Sequence, residues 1–271
     1  MRRSPDLLLR LLTLVVGLAG LLLPGLACAA GCAPIASVAP RVWLASAGDD
    51  VAGAGAVAIT FLGHASFLIE TPGGVTAVTD YNGVNVPDFP PDIATMNHAH
   101  STHYTDHPDP RIGHVLRGWR DDGGPVSIDL VVGDMHVTNL PTNIRNGQGG
   151  TEQYGNSIFV FASGGLCIAH LSHLHHLLEL ADIAALGHID IVMAPVEGAY
   201  TLSLPDLITV LEQIQPRVVL PMHYFMRSVL DRFLAAERDK FTIDVKESPT
   251  LHISRASLPE RPTIIALPGG Y

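Results

Sequence analysis

Three apolar runs in this chain each lead into histidine. Ile93-Ala-Thr-Met96 precedes His98, His100 and His103, Leu166-Cys-Ile-Ala169 precedes His170 and His173, and Val218-Val-Leu220 leads through Pro221 and Met222 to His223. Short apolar runs of this length read as buried strands, so the fold has to be one in which several strand ends meet. Loops at strand ends are where a rigid sheet can gather scattered ligands, and imidazole is a good donor to zinc, iron, nickel and copper. The three stretches predict a sheet-rich body with a metal site where those strands end.

Spacing sharpens the prediction. Residues two apart on a helix point to nearly opposite sides, so His98 and His100 can chelate together only from extended or loop backbone. His103 comes within reach if the chain turns after them. His170 and His173 repeat the arrangement, whereas His175 and His176 are expected on a following helix, facing solvent. His64 stands at a turn between two expected strands, where it can line the pocket. Asp80 ends another strand and is the candidate carboxylate to orient a ligand imidazole; Asp106 is the nearest carboxylate to the first cluster. The remaining histidines, at 107, 114, 136, 188 and 252, read as structural.

The first half carries short β-prone runs at residues 56–61, 66–70 and 75–79, then hairpins over 127–138 and 157–170 that turn at Gly133 and at Ser163-Gly164-Gly165. The second half alternates. A helix is expected over 173–186, a strand over 189–193, and a helix capped by Ser203 with Asp206 three residues on. Pro216 ends that helix before the strand over 218–220. Residues 141–154, rich in Asn and Gly, read as a mobile pocket loop. Meanders followed by strand–helix alternation predict an α/β body of sheets covered by helices.

The amino terminus is expected to be removed. Arg2 and Arg3 precede a mostly apolar stretch, and small residues at 27, 29 and 30 suit cleavage of a signal peptide spanning 1–30. A flexible segment follows over 31–55, and the folded domain runs from 56 to 271. The protein is expected to be exported, either periplasmic or held at the envelope by a lipid on Cys32, which follows Ala-Ala-Gly. Cys167 reads as a strand-core thiol, with a Cys32–Cys167 disulfide as the alternative in an oxidising compartment. A net charge of −10 without any basic run argues against a nucleic-acid partner.

The segment Thr60-Phe-Leu-Gly-His-Ala-Ser-Phe-Leu-Ile69, Asp80, the His98 cluster, His170, and the stretches Ile189-Asp-Ile-Val-Met-Ala-Pro-Val-Glu-Gly-Ala-Tyr-Thr201 and Pro216-Arg-Val-Val-Leu-Pro-Met-His-Tyr224 together resemble the metallo-β-lactamase superfamily. Within it they are most similar to the branch of ascorbate-6-phosphate lactonase and N-acyl-phosphatidylethanolamine phospholipase D. The resemblance implies a four-layer αββα sandwich with metals in a cleft at one edge of the sheets. It maps the motif HxHxDH onto His98, His100, Thr102 and His103, and the bridging Asp onto His173. It implies one metal on His98, His100 and His170 and a second on His103, His173 and His223, the latter weakened because Thr102 and His173 supply no anionic ligand.

Zinc is the implied metal, with manganese or iron as alternatives. The implied activity is hydrolysis of an ester, lactone or phosphodiester in a small-molecule or lipid-like substrate, with Asp80 and His64 serving the reaction. Two other readings stand beside it: a non-catalytic or sensory metal-binding protein on the same fold, and redox chemistry at iron.

Overall fold

The protein is described by a computed structural model covering residue 32, residues 55–146 and residues 148–269. The expected signal peptide and most of the expected linker lie outside the described residues. Among the described residues, fourteen strands form two sheets that share one hydrophobic core.

The first sheet has the order β13-β1-β2-β3-β4-β5. Its members are β1 (Val57–Gly63), β2 (Ser66–Glu70), β3 (Thr76–Val78), β4 (Ile93–Met96), β5 (His114–Arg117) and β13 (Thr250–Ile253). The antiparallel meander β1-β2-β3 is as the alternation predicts, while β4 and β5 add in parallel. Odd and even residues of β2 serve different cores: Phe67 and Ile69 join the large core between the sheets. Leu68 joins a smaller cluster with Val78, Tyr81, Ala94, Met96, Ile112 and Trp119. The loops bearing Tyr81, Ile112 and Trp119 thus cover the far face of this sheet.

The second sheet has the order β12-β14-β11-β10-β9-β8-β7-β6. It contains β6 (Asp129–Val132), β7 (Met135–Arg145), β8 (Thr151–Ser163), β9 (Leu166–His170), β10 (Ile191–Pro195), β11 (Val218–Met222), β12 (Thr242–Val245) and β14 (Thr263–Ala266). The run β9-β10-β11-β14-β12 is parallel, and parallel strands need crossovers. Helices α1 (Leu180–Leu186), α2 (Leu204–Ile214) and α3 (Arg227–Glu237) lie in those crossovers. They pack Leu186, Leu207, Val210, Leu211, Leu230 and Phe233 onto the large core. Strands β9, β10 and β11 are buried throughout, as parallel strands covered on both faces must be.

Four expectations change. The helix expected from residue 173 begins only at Leu180, where Glu179 and Asp182 form a reciprocal capping box. Before it, the chain is held by tertiary bonds: His173 donates its backbone N–H to Asn156, and Leu174 closes a turn onto Leu171. His175 and His176 are accordingly not free on a helix; both rings bond the backbone of Asn143. The expected mobile loop over 141–154 is mostly strand, because β7 and β8 stay paired out to Arg145 and Thr151. Finally, Cys167 is disulfide-bonded to Cys32 with Cα atoms 5.7 Å apart, across 135 residues of sequence.

Candidate metal centre

The ends of β1, β4, β9 and β11 converge, and each brings histidine. His64 sits in the β1–β2 turn, His100 and His103 follow β4, His173 follows β9 and His223 follows β11. One ligand nitrogen from each of His64, His100, His103 and His223 lies within 4.8 Å of every other. The ring of His173 completes the group, 5.1 to 5.2 Å from the rings of His100, His103 and His223.

Backbone geometry holds this convergence in place. His64, Asp80, Ser172 and His223 all have positive φ, at 52°, 43°, 49° and 56°. Left-handed backbone is uncommon away from glycine and costs about 1–3 kcal/mol, so it persists only where surrounding contacts enforce it. Here the His223 N–H donates to the His64 carbonyl at 2.7 Å, locking one turn against the other.

Asp80 is the buried hub. Its Oδ2 accepts the Nδ1 proton of His103 at 2.5 Å, Asn97 donates to Oδ1, and the Ser172 hydroxyl reaches both oxygens. Burial pushes its carboxyl pKa up, but the charges of His103 and His170 and the bonds from His103 and Ser172 outweigh that and hold it down at about 2. Bonded through Nδ1 to Asp80, His103 turns its Nε2 towards His223. Asn97 extends the scaffold by accepting the Ser157 N–H with its own carbonyl.

The other imidazoles are kept neutral. Burial, then the charges of His103 and His100, lower His64 to about 4. Burial and His103 lower His100 to about 4, against the opposing pull of Asp80 and Glu197. His173 falls to about 3 through burial, His103 and His100, and His223 falls well below its ordinary value for the same first two reasons. Neutral imidazole is the form that binds metal.

The donor set fits a metal on two grounds. Nε2 of His64, both ring nitrogens of His173 and Nδ1 of His223 are buried without a hydrogen-bond partner, a condition costing about 1–3 kcal/mol per group if nothing binds there. The Nε2 atoms of His103 and His223 are 3.2 Å apart, close to the roughly 3.3 Å spanned by two nitrogens of a tetrahedral zinc at about 2.0–2.1 Å.

Two expected ligands are placed elsewhere. His98 is half exposed, stacked on Trp119 with ring centroids 5.1 Å apart, and its Nδ1 bonds Glu152 at 2.7 Å. Residues 98–100 form a bend rather than a strand, so spacing by two does not put both rings on one side. His170 is fully buried and donates Nε2–H to the carbonyl of Ala65 at 2.8 Å, bracing the turn that presents His64. The structure thus brings together His64, His100, His103 and His223 with His173 beside them, and does not gather His98 and His170 with His100.

Thr102, at the position of the motif's Asp, bonds the Nδ1 of His100 at 2.8 Å. Asp106 lies exposed, 4.0 Å from Arg117. Sequence reading missed Asn97, Ser172 and Glu152, whose roles depend on long-range partners that no local spacing announces.

Comparison with known proteins agrees with this architecture. A family profile described as the beta-lactamase superfamily domain matches residues 58–223. A UPF0173 metal-dependent hydrolase of Carboxydothermus hydrogenoformans is 24% identical over 209 residues, covering 67% of this chain and 91% of its own. A protein from Thermotoga maritima, described as a zinc-dependent hydrolase of the metallo-beta-lactamase superfamily, superposes with a TM-score of 0.59 at 24% identity. That match covers 79% of this chain and 100% of the other. CmlA, a diiron beta-hydroxylase from Streptomyces venezuelae, shares the fold at a TM-score of 0.52 and 12% identity, over 73% of this chain and 54% of its own. With its paired sheets, its histidines gathered at strand ends and a matching profile over residues 58–223, the chain belongs to the metallo-β-lactamase superfamily.

Proposed function

We propose that this chain, a metal-dependent hydrolase of the metallo-β-lactamase superfamily, cleaves an ester, lactone or phosphodiester bond in a small-molecule or lipid-like substrate at the histidine cluster. The observation that carries the reading is the convergence of His64, His100, His103 and His223, with Asp80 bonded behind His103. A carboxylate behind a ligand histidine fixes its tautomer and raises its basicity. A divalent metal held there would supply Lewis acidity and bring the pKa of a bound water towards about 7.

The chain's own groups prepare that chemistry. Asp80 keeps the His103 proton on Nδ1, and Thr102 bonds Nδ1 of His100, so the Nε2 atoms of both rings are left to face the cluster. The all-imidazole set suits zinc, with iron also accommodated, and is less suited to manganese, which prefers oxygen ligands. The lactonase and phospholipase D likeness of the sequence motifs is what makes lactones and phosphodiesters candidates beside simple esters.

Export belongs to the same proposal. The Cys32–Cys167 disulfide favours an oxidising compartment. It also occupies the sulfur that a lipid anchor would need, which favours a soluble periplasmic protein over a lipoprotein.

The test is metal analysis of purified protein together with turnover of generic esters, lactones and phosphodiesters before and after chelation. Bound metal with turnover that chelation removes and zinc restores is the expected result. Metal without any turnover would favour the storage or sensing alternative, and absence of metal would overturn both.

A further inference from the structure

Four of the clustered imidazoles are spaced as ligands of one ion. Among His100, His103, His173 and His223, the ring centroids lie 4.6 Å apart for His100–His103, 5.2 Å for His100–His173 and 5.9 Å for His100–His223. The other three pairs are each at 5.1 Å. An imidazole bound to zinc at about 2.0–2.1 Å has its ring centre roughly 3.2 Å from the ion, so tetrahedral neighbours stand about 5.2 Å apart. His173 is nearly equidistant from the other three rings, which places it above the triangle they form, at the apex of such a tetrahedron.

The donor atoms and their supports agree with the rings. His103 and His223 meet through Nε2, and Thr102 takes Nδ1 of His100, so Nε2 is the nitrogen that ring has to offer. Both nitrogens of His173 are buried without a hydrogen-bond partner, and a buried polar atom is costly until something completes it. The backbone N–H of His173 is held by Asn156, and Ser172 before it is anchored to Asp80. Asp80 therefore steadies two of the four, His103 directly and His173 through Ser172.

A pair of ions does not suit this spacing. Metals in a binuclear centre are about 3.5–4 Å apart, which would carry the outer rings of the two sets well beyond 5.9 Å, the widest separation in this quartet. His98 and His170, which a second ion would draw on, are bonded to Glu152 and to the Ala65 carbonyl. His64 is placed differently from the four. Its ring is 4.3 Å from His223, 5.3 Å from His103 and 6.0 Å from His100, so it stands to one side, crowded towards His223.

We infer that the centre is mononuclear and all-imidazole: one ion on His100, His103, His173 and His223, with His64 a supplementary donor at its side. Such a set fills a tetrahedral ion, so a substrate reaches it through expansion to five coordination or displacement of a ligand. The inference concerns the number of ions and their ligands, and it does not rest on the hydrolase reading.

The experiment titrates metal-free protein with cobalt(II) and, separately, with zinc. Uptake is expected to saturate at one equivalent per chain, with the strong visible bands of tetrahedral cobalt(II). X-ray absorption of the zinc-loaded wild type should count at least four imidazoles on the ion. His173→Ala should weaken zinc binding by more than the roughly 10–100-fold that loss of a hydrogen-bond partner behind a ligand costs, and His64→Ala by no more than about tenfold. Circular dichroism of the metal-free variants checks that each is folded.

Two equivalents per chain, three or fewer imidazoles, or no uptake would overturn the inference, and these wild-type measurements decide it even if His173→Ala fails to fold. So would a His64→Ala variant that loses zinc as fully as His173→Ala. None of these readouts uses turnover, so failure of the hydrolase reading on its substrates leaves them intact.

Discussion

Asp80 and His103, 23 residues apart in sequence, meet through a 2.5 Å hydrogen bond at a point from which solvent is wholly excluded. The bond orients the imidazole and fixes its proton, so its loss is felt at the metal rather than at Asp80. Asp80→Asn should keep the fold and weaken zinc binding about 10–100-fold, measured by competition with a chromophoric chelator. Affinity within twofold of wild type would remove Asp80 from the metal-binding apparatus.

His103 and His98 lie on the same loop but point to different surroundings. His103→Ala should abolish stoichiometric zinc, because it removes a cluster nitrogen and leaves Asp80 buried without its main partner. His98→Ala should retain zinc at close to wild-type stoichiometry, because its ring is engaged with Glu152 and Trp119. Elemental analysis of both variants decides the point; equal loss of metal would restore His98 to the ligand set.

The acid limb of the stability curve follows from the neutral histidines. In metal-free protein His64 and His100 titrate at about 4 and His173 at about 3, against an ordinary 6.5. Between those values the unfolded chain binds more protons than the folded one, so stability rises with pH across that window and levels off above it. Asp80, lowered from 3.8 to about 2, adds stability that is lost only as pH falls below its ordinary value. The melting temperature of metal-free protein should therefore be level above pH 7 and fall steadily from 6.5 to 4. A flat profile over that interval would contradict the neutral state of these histidines.

Glu237 works in the other direction. Both its carboxylate oxygens are buried without a partner, and burial raises its pKa. The folded state holds that proton more tightly than the unfolded chain does, so the site loses stability as pH rises through its titration. Glu237→Leu should raise the melting temperature at pH 8, and by less at pH 4.5, in paired calorimetric scans. Equal shifts at the two pH values would point to packing alone.

The disulfide makes a prediction about conditions. Opening a cross-link that spans 135 residues should cost about 2–5 kcal/mol, so Cys32→Ser or added reductant should lower the unfolding free energy by that amount and move the denaturant midpoint down in proportion. An unchanged midpoint would show that the covalent tie adds nothing to the packing of residue 32.

How far the sequence could be read depended on whether local pattern or distant partners decide the outcome. Residues 66–70 and 166–170 emerge as β2 and β9 without adjustment because apolar content and flanking turns both define them. Ser203 caps α2 as its spacing to Asp206 predicts, accepting that residue's backbone N–H. The extension of β7 and β8 was hidden, since Asn143, Asn146 and the nearby glycines signal a loop and only cross-strand pairing overrides them. At the site, His100, His103, His173 and His223 converge as their strand ends imply. His98 and His170 depart because Glu152 and the Ala65 carbonyl, remote in sequence, take their rings. His64 moves from pocket wall to cluster member because its left-handed turn is bonded to β11, a contact no spacing rule contains.

Those four left-handed residues, His64, Asp80, Ser172 and His223, have a bearing on engineering. Glycine would relax the backbone at each, but at Asp80 and Ser172 it would break the buried hydrogen bonds among Asp80, Asn97, His103 and Ser172, so a library screened for heat resistance alone should enrich glycine at His64 and His223 while discarding an imidazole. Selection for robustness and selection for metal retention pull against each other at those two codons, and any thermostabilised descendant needs its metal content assayed alongside its melting point.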